Sequence, residues 1–170
     1  MILAIDVKYY DKEATAKAIG VLFNWLDKEP SKIIVKEVHN IHEYISGQFY
    51  KRELPCILEI LKAAINIDDI DTVIVDGHVY ISNEMDYGLG AHLWSSLNGR
   101  IPVIGVAKRT FKTNMNTVAK LYRGESKTPL YVSSIGMDLK EAVKRIQQMH
   151  GSYRLPTILK EVDRITKEKI

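Results

Sequence analysis

The chain has 170 residues, one cysteine and a formal net charge of +3, a size that one hydrophobic core can serve, so a single domain over residues 1–170 is expected. That charge is too small to mark a nucleic-acid binder by its sum, the lone Cys56 excludes an intramolecular disulfide, and no apolar run approaches the roughly 20 residues that cross a bilayer. With no apolar leader ahead of the first strand, the expectation is a cytoplasmic protein without membrane contact.

In chain order, residues 1–7 read as a short apolar strand that closes on an acid, and residues 14–25 and 32–39 continue in strand-like composition, separated by a Lys-Glu-Pro-Ser turn. An antiparallel three-stranded opening follows. Residues 52–66 place Leu54, Ile57, Leu58, Leu61, Ala64 and Ile65 on one stripe of a helix, with Pro55 in its first turn. An acidic loop at 68–71 leads into Thr72-Val73-Ile74-Val75, a β-branched run of the kind buried inside a sheet. Residues 88–97 predict a helix and 101–107 another apolar strand, which together form a parallel crossover. A short strand at 130–133 and helices at 138–149 and 157–169 complete an α/β pattern with a mixed central sheet.

Two of these strands end in carboxylates, Asp6 and Asp76, and a third acid, Glu53, opens the helix between them. Carboxylates that converge repel one another, so a cation is what makes such a group tolerable, and hard oxygen donors select Mg²⁺ or Mn²⁺. Phosphoryl transfer is the chemistry such a centre supports. Aspartates after strands also cap turns or helices, and spacing does not separate the two roles. A basic stretch, Lys108-Arg109-Thr110-Phe111-Lys112, directly follows an apolar strand, and Lys120, Arg123 and Lys127 come after it. Such a run is either a solvated face or a ledge for backbone phosphates. Tyr9, Tyr44, Phe49 and Tyr50 lie near the acids in sequence and are candidates for stacking on bases, or simply core aromatics. His92 falls on the inner stretch of a helix and reads as structural, while His78 is the better candidate for a solvent-facing role.

Taken together these segments resemble the endonuclease V family. Asp6-Val7-Lys8-Tyr9 is similar to its first acidic motif, Tyr44-Ile45-Ser46-Gly47 through Lys51-Arg52-Glu53-Leu54-Pro55 to its wedge and second acidic motif, and Asp76-Gly77 with Gly88-Leu89-Gly90-Ala91-His92-Leu93 and Ile104-Gly105-Val106-Ala107-Lys108 to its third. Leu130-Tyr131-Val132-Ser133 and Tyr153-Arg154-Leu155-Pro156 resemble its last strand and final arginine-proline segment, so the likeness spans nearly the whole chain.

The resemblance implies a ribonuclease H-like three-layer α/β fold. It also implies an Mg²⁺-dependent endonuclease, with Mn²⁺ as a substitute, acting 3′ to inosine or deoxyinosine or a related lesion in DNA or RNA. Asp6, Glu53 and Asp76 are then the metal set, Lys108 the lysine at the scissile phosphate, and Tyr44 the wedge aromatic. Gly47, Gly77 and Gly105 line the base pocket or its turn, and Tyr9, Phe49, His78, Arg109 and Lys112 complete the nucleic-acid contacts. The chain departs from the family pattern in three places. Glu43 and Ser46 flank the wedge where the family has prolines, Val79 stands where it would crowd a flipped base, and no histidine occurs in the segment Ser134-Ile135-Gly136-Met137-Asp138. Asp138 is the expected replacement for that histidine as a fourth acid. The alternatives are a nucleic-acid-binding protein that keeps the fold with weakened catalysis, and a metal-dependent enzyme on a smaller phosphate ester. No obligatory protein partner is evident.

Overall fold

A computed structural model describes residues 1–41, 43, 45, 46, 48–64 and 66–168. The antiparallel opening takes shape as strands β1 (Ile2–Tyr10), β2 (Thr15–Phe23) and β3 (Lys32–His39). After it come α1 (Phe49–Ala63), β4 (Thr72–Asp76), α2 (Leu89–Ser96) and β5 (Val103–Ala107). The chain ends with β6 (Ala119–Leu121), β7 (Leu130–Ile135), α3 (Leu139–Gln148) and α4 (Thr157–Lys167). The seven strands form one sheet in the order β3-β2-β1-β4-β5-β7-β6. β1, β4 and β5 run parallel to one another, and the flanking pairs are antiparallel.

The sheet is covered on both faces, and the alternation along each strand decides which side chain meets which helix layer. Leu3, Ile5, Val73 and Val75 point toward α1 and α2, where they meet Ile57, Ile60 and Leu93. Ile2, Ala4, Ile74 and Ile104 point the other way and pack against Ile146, Ile158 and Val162 of α3 and α4. Gly20 on β2 is required by this packing: a Cβ there would fall 2.4 Å from Ile60 Cγ2, inside any tolerable contact, so glycine lets α1 lie directly on the sheet.

Two details differ from the sequence expectation. α1 begins at Phe49, three residues before the expected Arg52, so Pro55 sits in its second turn rather than its first. The carbonyl that loses its partner to Pro55 is that of Lys51, an exposed residue whose backbone water can serve. Ile65, expected on the apolar stripe, lies outside the described residues. The stretch between Lys108 and Leu130, for which no element was expected, carries a 3₁₀ turn (Lys112–Thr117) and the edge strand β6. Among the described residues no helix is long and apolar enough to cross a membrane.

Candidate metal centre and nucleic-acid interface

Ile5 pairs with Val75 across the parallel β1–β4 ladder, so the next residues, Asp6 and Asp76, stand side by side at the C-terminal edge of the sheet. Both point to the face covered by α4, by the same alternation that sends Ala4 and Ile74 there. Their carboxyl groups interact directly, and Oδ1 of Asp6 accepts the Val7 N–H at 2.9 Å. They line a small cavity of about 40 Å³ together with Lys108, Leu159, Val162 and Asp163. Asp163 comes from α4 and was not anticipated. It accepts from Lys167 at 2.9 Å and lies 3.5 Å from the Lys108 ammonium. A sequence signal existed: Asp163 lies one turn beyond Leu159, between buried Val162 and Ile165, on the inward side of a strongly amphipathic helix.

The electrostatics follow from crowding. Burial, then the charge of Asp76, pushes the Asp6 carboxyl from the usual 3.8 up to about 7. Burial also raises Asp76, which is crowded by protein on its inner side although solvent reaches its outer side; Lys108 opposes the rise and Asp163 adds to it. Asp163 is pushed up by burial, but the hydrogen bond from Lys167 and the charge of Lys108 outweigh this and hold it below the usual range. Glu53 reaches the same edge from α1, on the other face of the sheet. It is only 3% exposed, and burial lifts it to about 8 against the hydrogen bond from Tyr9, with Asp6 and Asp76 adding repulsion.

The donor set is all oxygen and carries more negative charge than the site holds comfortably, which suits a hard dication. Among the described residues no three acidic, histidine or cysteine side chains form a closed metal nest. The Asp6–Asp76 pair is instead an open, partial set of the kind Mg²⁺ accepts, since that ion keeps waters and uses one or two carboxylates plus substrate phosphate. Asp138 does not join it. β7 runs antiparallel to β5, with Val103 opposite Ile135, so Asp138 emerges at the opposite end of the sheet, where its carboxylate caps α3 by accepting the Lys140 N–H at 2.8 Å. The expectation for Asp138 came from its place after the last strand and missed the reversal of that strand.

Beside the acids lies a second hollow of about 410 Å³ lined by Phe49, Tyr50, Gly77, His78, Tyr87 and Phe111 among others. Gly77 adopts φ +152°, a backbone that side chains disfavour. Gly105 sits one layer below: a Cβ there would meet the Gly77 carbonyl at 2.6 Å, so it supports the floor of the hollow and does not line it. His78 is buried rather than solvent-facing, since its Nε2–H donates to the Arg109 carbonyl at 2.8 Å. Val79 is fully buried and points away from the hollow against Gly90, so it does not crowd a base. His92 is stacked on Tyr50 at 3.6 Å and edge-on to Tyr87, a structural role. Tyr9 is not an open platform, because Arg52 covers one ring face at 3.6 Å and its hydroxyl donates to Glu53. Tyr44 and Gly47 lie outside the described residues.

Lys108, Arg109 and Lys112 are all exposed; Lys108 lines the small cavity, and Phe111, next to Lys112 in the chain, marks the rim of the second hollow. Arg154 braces this stretch, donating to the Lys108 carbonyl at 2.7 Å and the Pro129 carbonyl at 2.6 Å. Arg123, read from sequence as part of the basic ledge, is buried and donates to the carbonyls of Met149, Gly151 and Tyr153. It is a clamp on the segment between α3 and α4.

Comparison with solved structures finds the same architecture in the catalytic domain of human endonuclease V (TM-score 0.79, 20% identity, covering 98% of this chain and 80% of that one). A second match is the Ciona intestinalis endonuclease V D234N variant in complex with a 23mer DNA containing an inosine followed by a ribo-adenosine (0.79, 18%, 98% and 83%). A third is the endonuclease V of Streptomyces avermitilis (0.76, 22%, 98% and 79%). These likenesses establish the ribonuclease H-like fold. No curated protein matches the chain by sequence at a significant level. The endonuclease V family model matches residues 1–164, the whole sheet, α1 to α3 and most of α4, and the chain therefore belongs to the endonuclease V family of nucleases.

Proposed function

We propose that this nuclease is a divalent-metal-dependent endonuclease that hydrolyses a phosphodiester 3′ to inosine or deoxyinosine, or a related lesion, in DNA or RNA. The observation that carries the reading is the convergence of Asp6, Asp76, Asp163 and Lys108 on one cavity at a sheet edge, next to a hollow large enough for a base. Relatives of the family have been crystallised on inosine-containing DNA, which supports that choice of substrate.

Asp6 and Asp76 would hold the ion, Mg²⁺ with Mn²⁺ as a substitute, with Asp163 and Glu53 as the nearest further acids. When bound, such an ion stabilises charge on the phosphate and lowers the pKa of water at the site. Lys108, half exposed beside Asp163, is placed to hold the scissile phosphate, and the exposed Arg109 and Lys112 extend that grip along the strand. The aromatic hollow sequesters the base while Gly77 allows its close approach to the backbone. Glu53, carrying a proton near neutrality, is suited to give that proton at the reacting edge and take it back.

The test is incubation of the purified protein with inosine-containing single- and double-stranded DNA and RNA, in Mg²⁺, Mn²⁺ and chelator. Metal-dependent cleavage that is lost in Asp76→Asn is expected. Binding without cleavage in either metal would overturn the reading in favour of a nucleic-acid-binding protein.

A further inference from the structure

Tyr9 has its hydrogen-bonding and stacking capacity turned inward. Three positions beyond Asp6 on β1, it emerges on the opposite face of the sheet, against α1. There its hydroxyl donates to Oε2 of Glu53, its ring lies 3.6 Å from the Arg52 guanidinium, and Arg52 is tied at 2.7 Å to Asp11 in the turn after β1. These contacts close a ring from the end of β1, through the start of α1, and back to the β1–β2 turn. Among the described residues Gln48 gives the N-terminus of α1 no side-chain cap, and this ring ties the first turns of the helix to the sheet edge.

We propose that Tyr9 is a positioning residue for the acidic centre. Its hydroxyl occupies one oxygen of Glu53 and fixes the carboxyl in one rotamer, which leaves the other oxygen to serve the edge where Asp6 and Asp76 stand. Arg52, held flat by Asp11, keeps the Tyr9 ring from swinging away. The notion that Tyr9 stacks on a base is replaced by this role. The inference rests on the nuclease reading for its activity arm alone, because metal binding can be read without substrate.

The test is Tyr9→Phe, which keeps the ring and its stack on Arg52 and deletes the hydroxyl. Groups that orient a metal-site residue typically account for about 10–100-fold in affinity or rate. Mn²⁺ affinity, titrated with the metal alone, is expected to fall about tenfold, and kcat on inosine-containing strands about 10–100-fold, with KM within about twofold. In a Glu53→Gln background the same substitution should cost nothing more in either measure, since the hydroxyl acts through the carboxylate. Mn²⁺ affinity and kcat both within about twofold of the parent, or a full additional loss in the Glu53→Gln background, would overturn the proposal. A chain that cleaves none of the strands refutes the nuclease reading but leaves the Mn²⁺ titrations to decide the role of Tyr9.

Discussion

Replacing Asp6 by asparagine should make the metal-free protein more stable at alkaline pH while removing its response to metal. The proton on Asp6 is held in the folded state up to about pH 7 against the usual 3.8. A carboxyl with a raised folded-state pKa contributes stability below its unfolded value and loses it as pH climbs to the folded value. At about 1.4 kcal/mol per tenfold change in proton affinity, full ionisation of Asp6 costs at most roughly 4 kcal/mol above that pH. Solvent reaches the mouth of the cavity, and allowing for that screening leaves about 1–2 kcal/mol. For a chain of this length that is about 3–6 °C in Tm. Asparagine keeps an acceptor for the Val7 N–H and brings a donor to Asp76, so it removes the repulsion without orphaning a neighbour. Thermal unfolding in chelator should show the variant melting above the parent at pH 8 and level with it only below about pH 4, a difference that opens across the interval set by the Asp6 shift. Added Mg²⁺ should raise the parent and leave the variant unmoved. A variant that melts below the parent at pH 8 in chelator would show that the two acids do not oppose each other, and the argument for a cation at this edge would fail with it.

Because burial pushes Asp6 up to about 7 and Glu53 up to about 8, binding of Mn²⁺ should expel protons and tighten as pH rises from 6 to 9; calorimetry in two buffers of different ionisation enthalpy counts them. Asp163→Asn should cut metal-dependent cleavage at least about 100-fold, whereas Asp138→Ala should leave cleavage intact and cost about 1 kcal/mol as a lost helix cap, read by thermal unfolding. Arg109→Ala and Lys112→Ala should each lower the salt slope of duplex binding by about one unit. Arg123→Met should leave that slope alone and destabilise the fold by roughly 2–4 kcal/mol, since one buried and two part-buried carbonyls lose their donor.

The part of this site that was legible in the sequence is the part carried by strands. Asp6 and Asp76 follow apolar runs, and parallel neighbours with a period of two bring such residues to one edge and one face. Lys108 was legible for the same reason, as the residue after β5. Asp163 was not, because a helix delivers a side chain to a distant edge through tertiary packing, and its only local mark is a charge on an otherwise buried face. Asp138 misled because its sequence position says nothing of the direction of β7. His78 was misjudged as solvent-facing since polarity alone does not reveal a buried donor that finds a carbonyl across 31 positions.

The four acids solve one physical problem by different means. Asp6 and Glu53 hold protons, Asp163 borrows the ammonium groups of Lys108 and Lys167, and Asp76 keeps one side in solvent. An incoming dication competes first with the protons, whose release at neutral pH costs little, and only then with the lysines. Lys108, 3.5 Å from Asp163, would on the proposed function face two demands: it neutralises Asp163 here, and a cation drawing on Asp163 would leave its ammonium group free for a phosphate. On that reading ion binding and phosphate binding would be coupled through a single carboxylate, and the affinity of each should depend on the presence of the other.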